Sequence, residues 1–237
     1  MKRVAISQSN YIPWKGYFDL VASVDEFVIY DEVQYTRRDW RNRNQIKTPG
    51  GLQWLSVPAK VKGRYDQRIN EVEIDQGAWQ LEHWKAIHLN YKKSQYFDEV
   101  ASLLQPIYLS NEWSRLSVLN KKLINEVCRY LEIDSRISDS VDYVIDSVCR
   151  TSRLVSICEQ LGAECYVSGP AAQAYLDESM FLDKDIAVEW FDYSGYPGYP
   201  QLWGEFMPHV SVVDLLFNCG KESPKYMKHV QIKSGNV

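Results

Sequence analysis

The sequence predicts an α/β fold: a mainly parallel sheet of Rossmann-like layout with a helical insertion. Three observations carry this. Short apolar runs at residues 4–6, 27–30 and 165–167 each end in a polar or glycine-containing loop. Apolar residues at helical spacing separate the first two runs and precede the third, the βαβ rhythm of a parallel sheet. Between those regions, residues 79–131 carry three helical patterns in succession, which breaks the rhythm.

The elements follow in order. Residues 4–6 form a strand, and after Pro13 the residues Leu20, Val21 and Val24 form the inner face of a helix. The second strand, 27–30, runs directly into Asp31. In a parallel sheet such loops gather at the carboxyl ends of the strands, where these folds bind ligands. Residues 8–16 are therefore expected as one wall of a site and 31–47 as the other. Pro49-Gly50-Gly51 is a turn, 52–57 alternates as a strand, and 72–74 reads as a further short strand. Helices are expected over 79–91, 95–109 and 113–131. In the last, Leu116, Leu119, Leu123, Ile124 and Val127 recur at three and four. These helices form the insertion, 79–131, and 1–78 with 132–237 form the core. Residues 136–140 read as a short strand or loop. Thr151 and Ser152 can cap a helix with Leu154, Val155, Ile157, Cys158 and Leu161 inward, stopped by Gly162. A strand at 165–167 ends in the turn Ser168-Gly169-Pro170, another strand covers 186–191, and 196–201 is loop. Ser211 caps a final helix that ends at Cys219-Gly220, and the tail beyond Pro224 is expected to be mobile.

Composition narrows the class. The 237 residues can bury a sizeable core, and 45% hydrophobic with 24% charged residues argues against disorder. No apolar run approaches the roughly 20 residues of a membrane span. The first residues enter a strand without a signal peptide's apolar segment, so a cytoplasmic protein without a membrane partner is expected. Five cysteines, with no C-x-x-C pair, are expected reduced. His83 and His88 lie five apart, which points them in different directions on a helix, so no metal site is expected. A net charge of −4 gives no reason to expect nucleic acid, but the charge is uneven. Residues 37–64 hold eight Lys/Arg and one acid, Asp39; residues 159–192 hold eight acids and one base, Lys184. The basic stretch is either a solvated face or a site for an anion such as a nucleotide diphosphate. Eight Trp and 16 Tyr can stack on sugar and base rings, or fill the core.

Individual residues then stand out. Asp31 either caps its turn or accepts a proton from an amine. Gln8 and Asn10 are neutral hydrogen-bonding groups suited to a sugar or carbonyl. Arg38, Arg41, Arg43 and Lys47 compete for phosphates, which arginine pairs bidentately. His83 opens a helix beside Trp79 and Trp84, where burial could tune it as a general base; His209 is its rival. Gly169 in the turn after Ser168 lets backbone approach a ligand. Ser168 lacks the flanking pattern of a hydrolase nucleophile, and Cys165 reads as core. Asp214, in an apolar helix, would need a partner such as Arg153 or a backbone amide.

An ordered set of motifs resembles the WbqC-like family across nearly the whole chain. The set comprises Gln8-x-x-Tyr11-x-Pro13-Trp14-x-Gly16-Tyr17, Asp31-x-Val33-Gln34, Trp40-x-x-Arg43-Asn44, Thr151-x-Arg153-Leu154, Tyr166-x-Ser168-Gly169-Pro170, Tyr175-Leu176-Asp177, Tyr199-Pro200-Gln201 and the stretch from Phe206 to Gly220. The resemblance implies a transferase of surface-polysaccharide (O-antigen) biosynthesis. It would place an acyl or aminoacyl group, glycyl among them, on the amino group of a nucleotide-linked amino sugar. The expected catalytic residues are His83, Asp31 and Asn10, with Asn10 or a loop amide stabilising a tetrahedral oxyanion. The expected substrate-binding residues are Gln8, Tyr11, Lys15, Gln34, Arg38, Trp40, Arg43, Asn44, Lys47, Ser168, Gly169, Tyr199 and Gln201, with Arg43 weighted most for phosphate. The donor stays open among a thioester, an adenylate and an aminoacyl-tRNA, the one nucleic acid admitted; no cofactor or metal is assigned, and the sequence does not set the oligomeric state. A fainter resemblance links Pro13-Trp14-Lys15-Gly16 to the phosphate loop of nucleotidyltransferases and pantothenate synthetases, whose histidines this sequence lacks. Two alternatives remain: an ATP-dependent amide ligase or nucleotidyltransferase-like enzyme, and a non-catalytic sugar-nucleotide-binding protein.

Overall fold

The computed structural model describes residues 1–110, 113–145, 147 and 149–231. Its elements in chain order are β1 (Arg3–Ser7), α1 (Lys15–Ala22), β2 (Glu26–Ile29), β3 (Arg43–Thr48), β4 (Gly51–Ser56), α2 (Trp79–Tyr91), α3 (Phe97–Leu109), α4 (Leu116–Tyr130), β5 (Arg136–Asp139), α5 (Arg150–Leu161), β6 (Cys165–Ser168), α6 (Ser179–Leu182), β7 (Ala187–Trp190) and α7 (Val212–Cys219). Five strands make one sheet in the order β5-β2-β1-β6-β7, every neighbouring pair parallel. The α/β class with a mainly parallel sheet therefore holds.

Strand alternation sends neighbouring side chains to opposite faces. Ala5, Phe27, Cys165 and Val167 face a cluster built with Phe18 of α1, the apolar residues of α2–α4, and α7. Val4, Ile6, Val28, Tyr30 and Tyr166 face a second cluster built with Leu154, Val155, Ile157 and Cys158 of α5 and Phe181 of α6. The result is a three-layer sandwich whose central strands are buried on both faces, as continuous apolar runs require. Gly162 takes the left-handed conformation (φ 63°) that ends α5, and a three-residue loop returns the chain to β6.

The structure departs from the sequence reading in four places and decides a fifth that the sequence left open. Strand β3 falls in the stretch expected as a loop wall. It forms an antiparallel hairpin with β4 outside the main sheet, and only Asn44, Ile46 and Lys47 of it are buried, so polar positions mask its alternation. Residues 72–74 are not a strand; a 3-10 turn (Ile69–Glu71) precedes isolated bridges from Glu73 to Arg115 and Ile74 to Ala59. Residues 136–140, read as a short strand or loop, hold the strand: 136–139 are the edge strand β5, paired to β2. The N-cap of α5 is Cys149, with Thr151 and Ser152 inside the first turn. The tail is held as far as Gln231: Met227 and Val230 are buried, and the amides of Lys228 and His229 donate to Asp19 Oδ1. Residues 232–237 lie outside the described residues. Among the described residues, no helix is long and apolar enough to cross a membrane.

Candidate functional site

Strand β1 is the point where the topology divides, with β2 on one side and β6 on the other. Loops leaving the carboxyl ends of these strands separate and leave a crevice, the usual ligand position in an open α/β sheet. A cavity of about 670 Å³ lies there. Ser7 and Gln8 enter it from β1, Tyr30, Glu32 and Gln34 from β2, and Ser168 and Gly169 from β6. Helix α5 precedes β6 and runs back along it, so its N-terminus, the positive end of its dipole, reaches the same edge. Arg150 and Arg153 of that first turn line the cavity, together with Arg68 beside the 3-10 turn. Arg153 is fixed by a 2.8 Å bond from Nε to the Ser147 carbonyl. Among the described residues, none of the three arginines forms an ion pair with an acid. Two acids, Glu32 and Asp66, share the lining, and Glu32 Oε2 is a buried oxygen with no hydrogen-bond partner among the described residues. Tyr175 and Tyr193 complete the aromatic part; burial and the charge of Asp19 push the Tyr193 phenol up to about 12.

Four of the residues expected from the sequence meet in this cleft: Gln8, Gln34, Ser168 and Gly169. The others are placed elsewhere. Asp31 is 1% exposed and turned inward, where it accepts from Ser9 N (2.8 Å), Ser9 Oγ (2.7 Å) and Ser117 Oγ. Asn120 of α4 adds bonds to Ser9 Oγ (3.2 Å) and the Arg41 carbonyl (2.9 Å). This buried network fastens the first loop to α4. Tyr11 is fully buried, its hydroxyl 2.8 Å from His83 Nδ1 and 2.7 Å from Tyr108. Burial pushes His83 down to about 4, so it is neutral near pH 7 and too weak a base for the expected role; it is also absent from the cleft lining.

Asn44 donates to the carbonyls of Tyr11 (3.2 Å) and Ile12 (2.8 Å), and Ser211 Oγ donates to Ile12 as well (2.7 Å). Ile12 is held at φ 37°, a conformation a β-branched residue adopts only when its surroundings impose it. Asn10 and Gln8 offer their side-chain oxygens to the guanidinium of Arg41. Lys15 Nζ donates 2.9 Å bonds to the carbonyls of Pro197 and Tyr226 between the rings of Tyr196 and Tyr199, where burial pushes it down to about 8. Lys47 Nζ donates to Gln201 Oε1 (2.7 Å) and to the Glu205 carbonyl. Gln201 Nε2 reaches Tyr199 Oη (3.2 Å) and Asp214 Oδ1 (2.8 Å), and Tyr91 donates to Asp214 Oδ2. Asp214 therefore pairs with Tyr91 and Gln201, not Arg153, and burial raises it. The 196–201 loop and the start of α7 close this interior network and do not rim the cleft. Arg38 and Trp40 lie in the turns before β3, and Arg43 at its start is stacked 4.2 Å over Trp54.

The cations of the cleft are thus Arg68, Arg150 and Arg153, which charge density along the chain did not single out. The available signal was Thr151-x-Arg153-Leu154 at a helix start, where arginines join free backbone N–H groups. A family-wide comparison matches residues 8–226 to the WbqC-like protein family. The chain belongs to that family. It is 54% identical over 229 residues to the uncharacterized protein Rv1507c of Mycobacterium tuberculosis (strain ATCC 25618 / H37Rv), an alignment covering 97% of this chain and 99% of that protein. No solved structure matches the chain. The WbqC-like motifs divide between the two networks: Thr151 to Leu154, Tyr166 to Pro170 and Tyr175 surround the cleft, whereas Tyr199 to Gln201 and the region of Asp214 form the interior network.

Proposed function

We propose that the cleft binds a nucleotide-linked amino sugar and that the protein transfers an acyl or aminoacyl group to its amine. The observation that carries this is the pairing of opposite chemistries in one cavity. Three arginines and the N-terminus of α5 form an anion wall suited to a diphosphate. Gln8, Gln34, Ser168 and the tyrosines offer hydrogen bonds and ring surface suited to a sugar. Among the described residues of the lining, Glu32 supplies the single unpartnered buried carboxylate oxygen, the chemistry that holds an ammonium group and then takes its proton. The neutral amine left by that transfer attacks the donor carbonyl, the C–N bond forms as the bond to the leaving group breaks, and the second N–H proton passes to the leaving group. Because the Gln8 side-chain oxygen is taken by Arg41, its amide N–H is the group it can offer a developing oxyanion. Membership of the WbqC-like family, whose motif resemblance implies a part in surface-polysaccharide biosynthesis, supports an amino-sugar acceptor.

The test is calorimetry with nucleoside-diphosphate-linked amino sugars, followed by mass spectrometry for the amide with thioester, adenylate and aminoacyl-tRNA donors. Binding that Arg150→Ala and Arg153→Ala weaken, with an amide product, is the expected result. Absence of binding for every such sugar would overturn the reading, and binding without product for any donor would leave a carrier.

A further inference from the structure

The β3–β4 hairpin has one packed face and one open face. Asn44, Ile46 and Leu55 turn inward and are buried. On the other face Trp54 is 42% exposed, and Trp40 (45% exposed) lies against it with ring centroids 5.6 Å apart. The Arg43 guanidinium covers the Trp54 ring at 4.2 Å. Nearer the cleft the arrangement repeats: Tyr65 is 72% exposed, and the Arg37 guanidinium lies 5.2 Å from its ring centre. The Arg38 carbonyl accepts a 2.6 Å bond from Arg43.

The structure also sorts seven of the eight basic residues of this region. Lys47 is buried, Arg41 is engaged by Gln8 and Asn10, and Lys60 and Arg64 are paired to Glu73. Arg37, Arg38 and Arg43 form no ion pair among the described residues, so a cationic strip lies on a chain of net charge −4. The strip starts at the cleft. Gln34 and Thr36 line the cavity, and Gln34 Nε2 donates to the Tyr65 carbonyl at 3.0 Å.

We infer that this strip binds single-stranded RNA, and that the acyl donor of the proposed transfer is an ester on an RNA 3′ end. This rests on the transferase reading above. Exposed rings that each carry a guanidinium provide a face for a base and a charge for its phosphate, the arrangement that holds single strands without reading sequence. Trp, Tyr and Arg also mark protein interfaces, but three arginines without an ion pair among the described residues favour a polyanion, and a sugar alone would leave them without a counter-charge. The strip would lead the 3′ end to the cavity, where the amine attacks the ester carbonyl. The C–N bond forms, the C–O bond to the ribose breaks, and the proton ends on the released ribose hydroxyl.

The experiment measures anisotropy of a 5′-labelled single-stranded RNA oligonucleotide, with an equal length of double-stranded RNA as control. Wild-type protein is expected to prefer the single strand. The double variant Trp40→Ala/Trp54→Ala should bind it about 10-fold or more weakly, and Trp54→Phe should retain most of the affinity. Arg37→Ala should lower the slope of log affinity against log salt by about 0.7. Sugar-nucleotide binding by calorimetry should be unchanged in the tryptophan variants, which also shows that they are folded. Equal binding of single- and double-stranded RNA, or an affinity indifferent to both tryptophans, would overturn the inference. So would self-association of the wild type that the tryptophan variants abolish without RNA binding, which would give the face to a second copy of the chain. RNA binding through the tryptophans combined with an empty cleft in calorimetry would instead sink the amino-sugar reading and leave the strip standing.

Discussion

Replacing Asp31 by alanine should unfold this protein more easily rather than disable a site. The carboxylate is 1% exposed and is the common acceptor for the Ser9 amide, the Ser9 hydroxyl and the Ser117 hydroxyl. Without it the Ser9 amide has no other acceptor in that network, at about 1–3 kcal/mol for a buried donor left unpaired. Ser9 Oγ keeps the Asn120 donor, and both hydroxyls can rotate, so each adds about 1 kcal/mol or less. Relief of the buried charge's desolvation offsets part of this. The net is about 3 kcal/mol, or a fall in Tm of roughly 6–12 °C for a domain of this size. Asp31→Asn retains one acceptor oxygen and should lose about 2 kcal/mol. Urea unfolding of the three proteins gives the comparison. A stability within about 0.5 kcal/mol of wild type, together with lost sugar-nucleotide binding, would refute the reasoning and return Asp31 to the site.

Arg153→Ala should weaken binding of a nucleoside diphosphate sugar by about 1–3 kcal/mol in calorimetry, whereas Arg43→Ala should leave that constant unchanged. The neutral imidazole of His83 makes stability pH-dependent. Its pKa is about 4 folded against an ordinary 6.5, so its contribution is complete above about pH 6.5. As pH falls toward 4 the unfolded chain takes up the proton first, and stability should drop by about 1.4 kcal/mol per pH unit. His83→Gln should flatten urea-derived stability across that window. At Gly220 an added Cβ would come within 2.2 Å of the Tyr96 ring at a φ of +50°, so Gly220→Ala should lower stability by about 1–3 kcal/mol in the same assay.

The sheet was legible because its central strands are buried on both faces. Runs such as Phe27-Val28-Ile29-Tyr30 leave little choice once helices alternate with them. Strand β3 was not, because Arg43, Gln45 and Lys47 read as a run of donors although Ile46 anchors the hairpin. The site was half legible. Gln8, Gln34, Ser168 and Gly169 follow strand ends, and strand ends are what the pattern locates. Asp31 also follows a strand end, yet alternation sends it inward and its neighbour Glu32 into the cavity, a difference of one residue that depends on where the strand stops. Arg68, Arg150 and Arg153 come from a turn and a helix start that only the fold brings together.

The order β5-β2-β1-β6-β7 also bears on how the chain is made. Arg3 of β1 pairs with Cys165 of β6, about 160 residues later. On a ribosome adding 5–20 residues each second, roughly 10–30 s pass between the emergence of the two strands. During that interval β1 can pair with β2 and be covered by α1 on one face, while its other edge stays open. The crevice beside β1 therefore has no second wall until Cys165–Ser168 have been synthesised. A nascent chain stalled before Cys165 carries a central strand with one edge unpaired, and the newborn protein completes the cleft and loses that exposed edge in the same event.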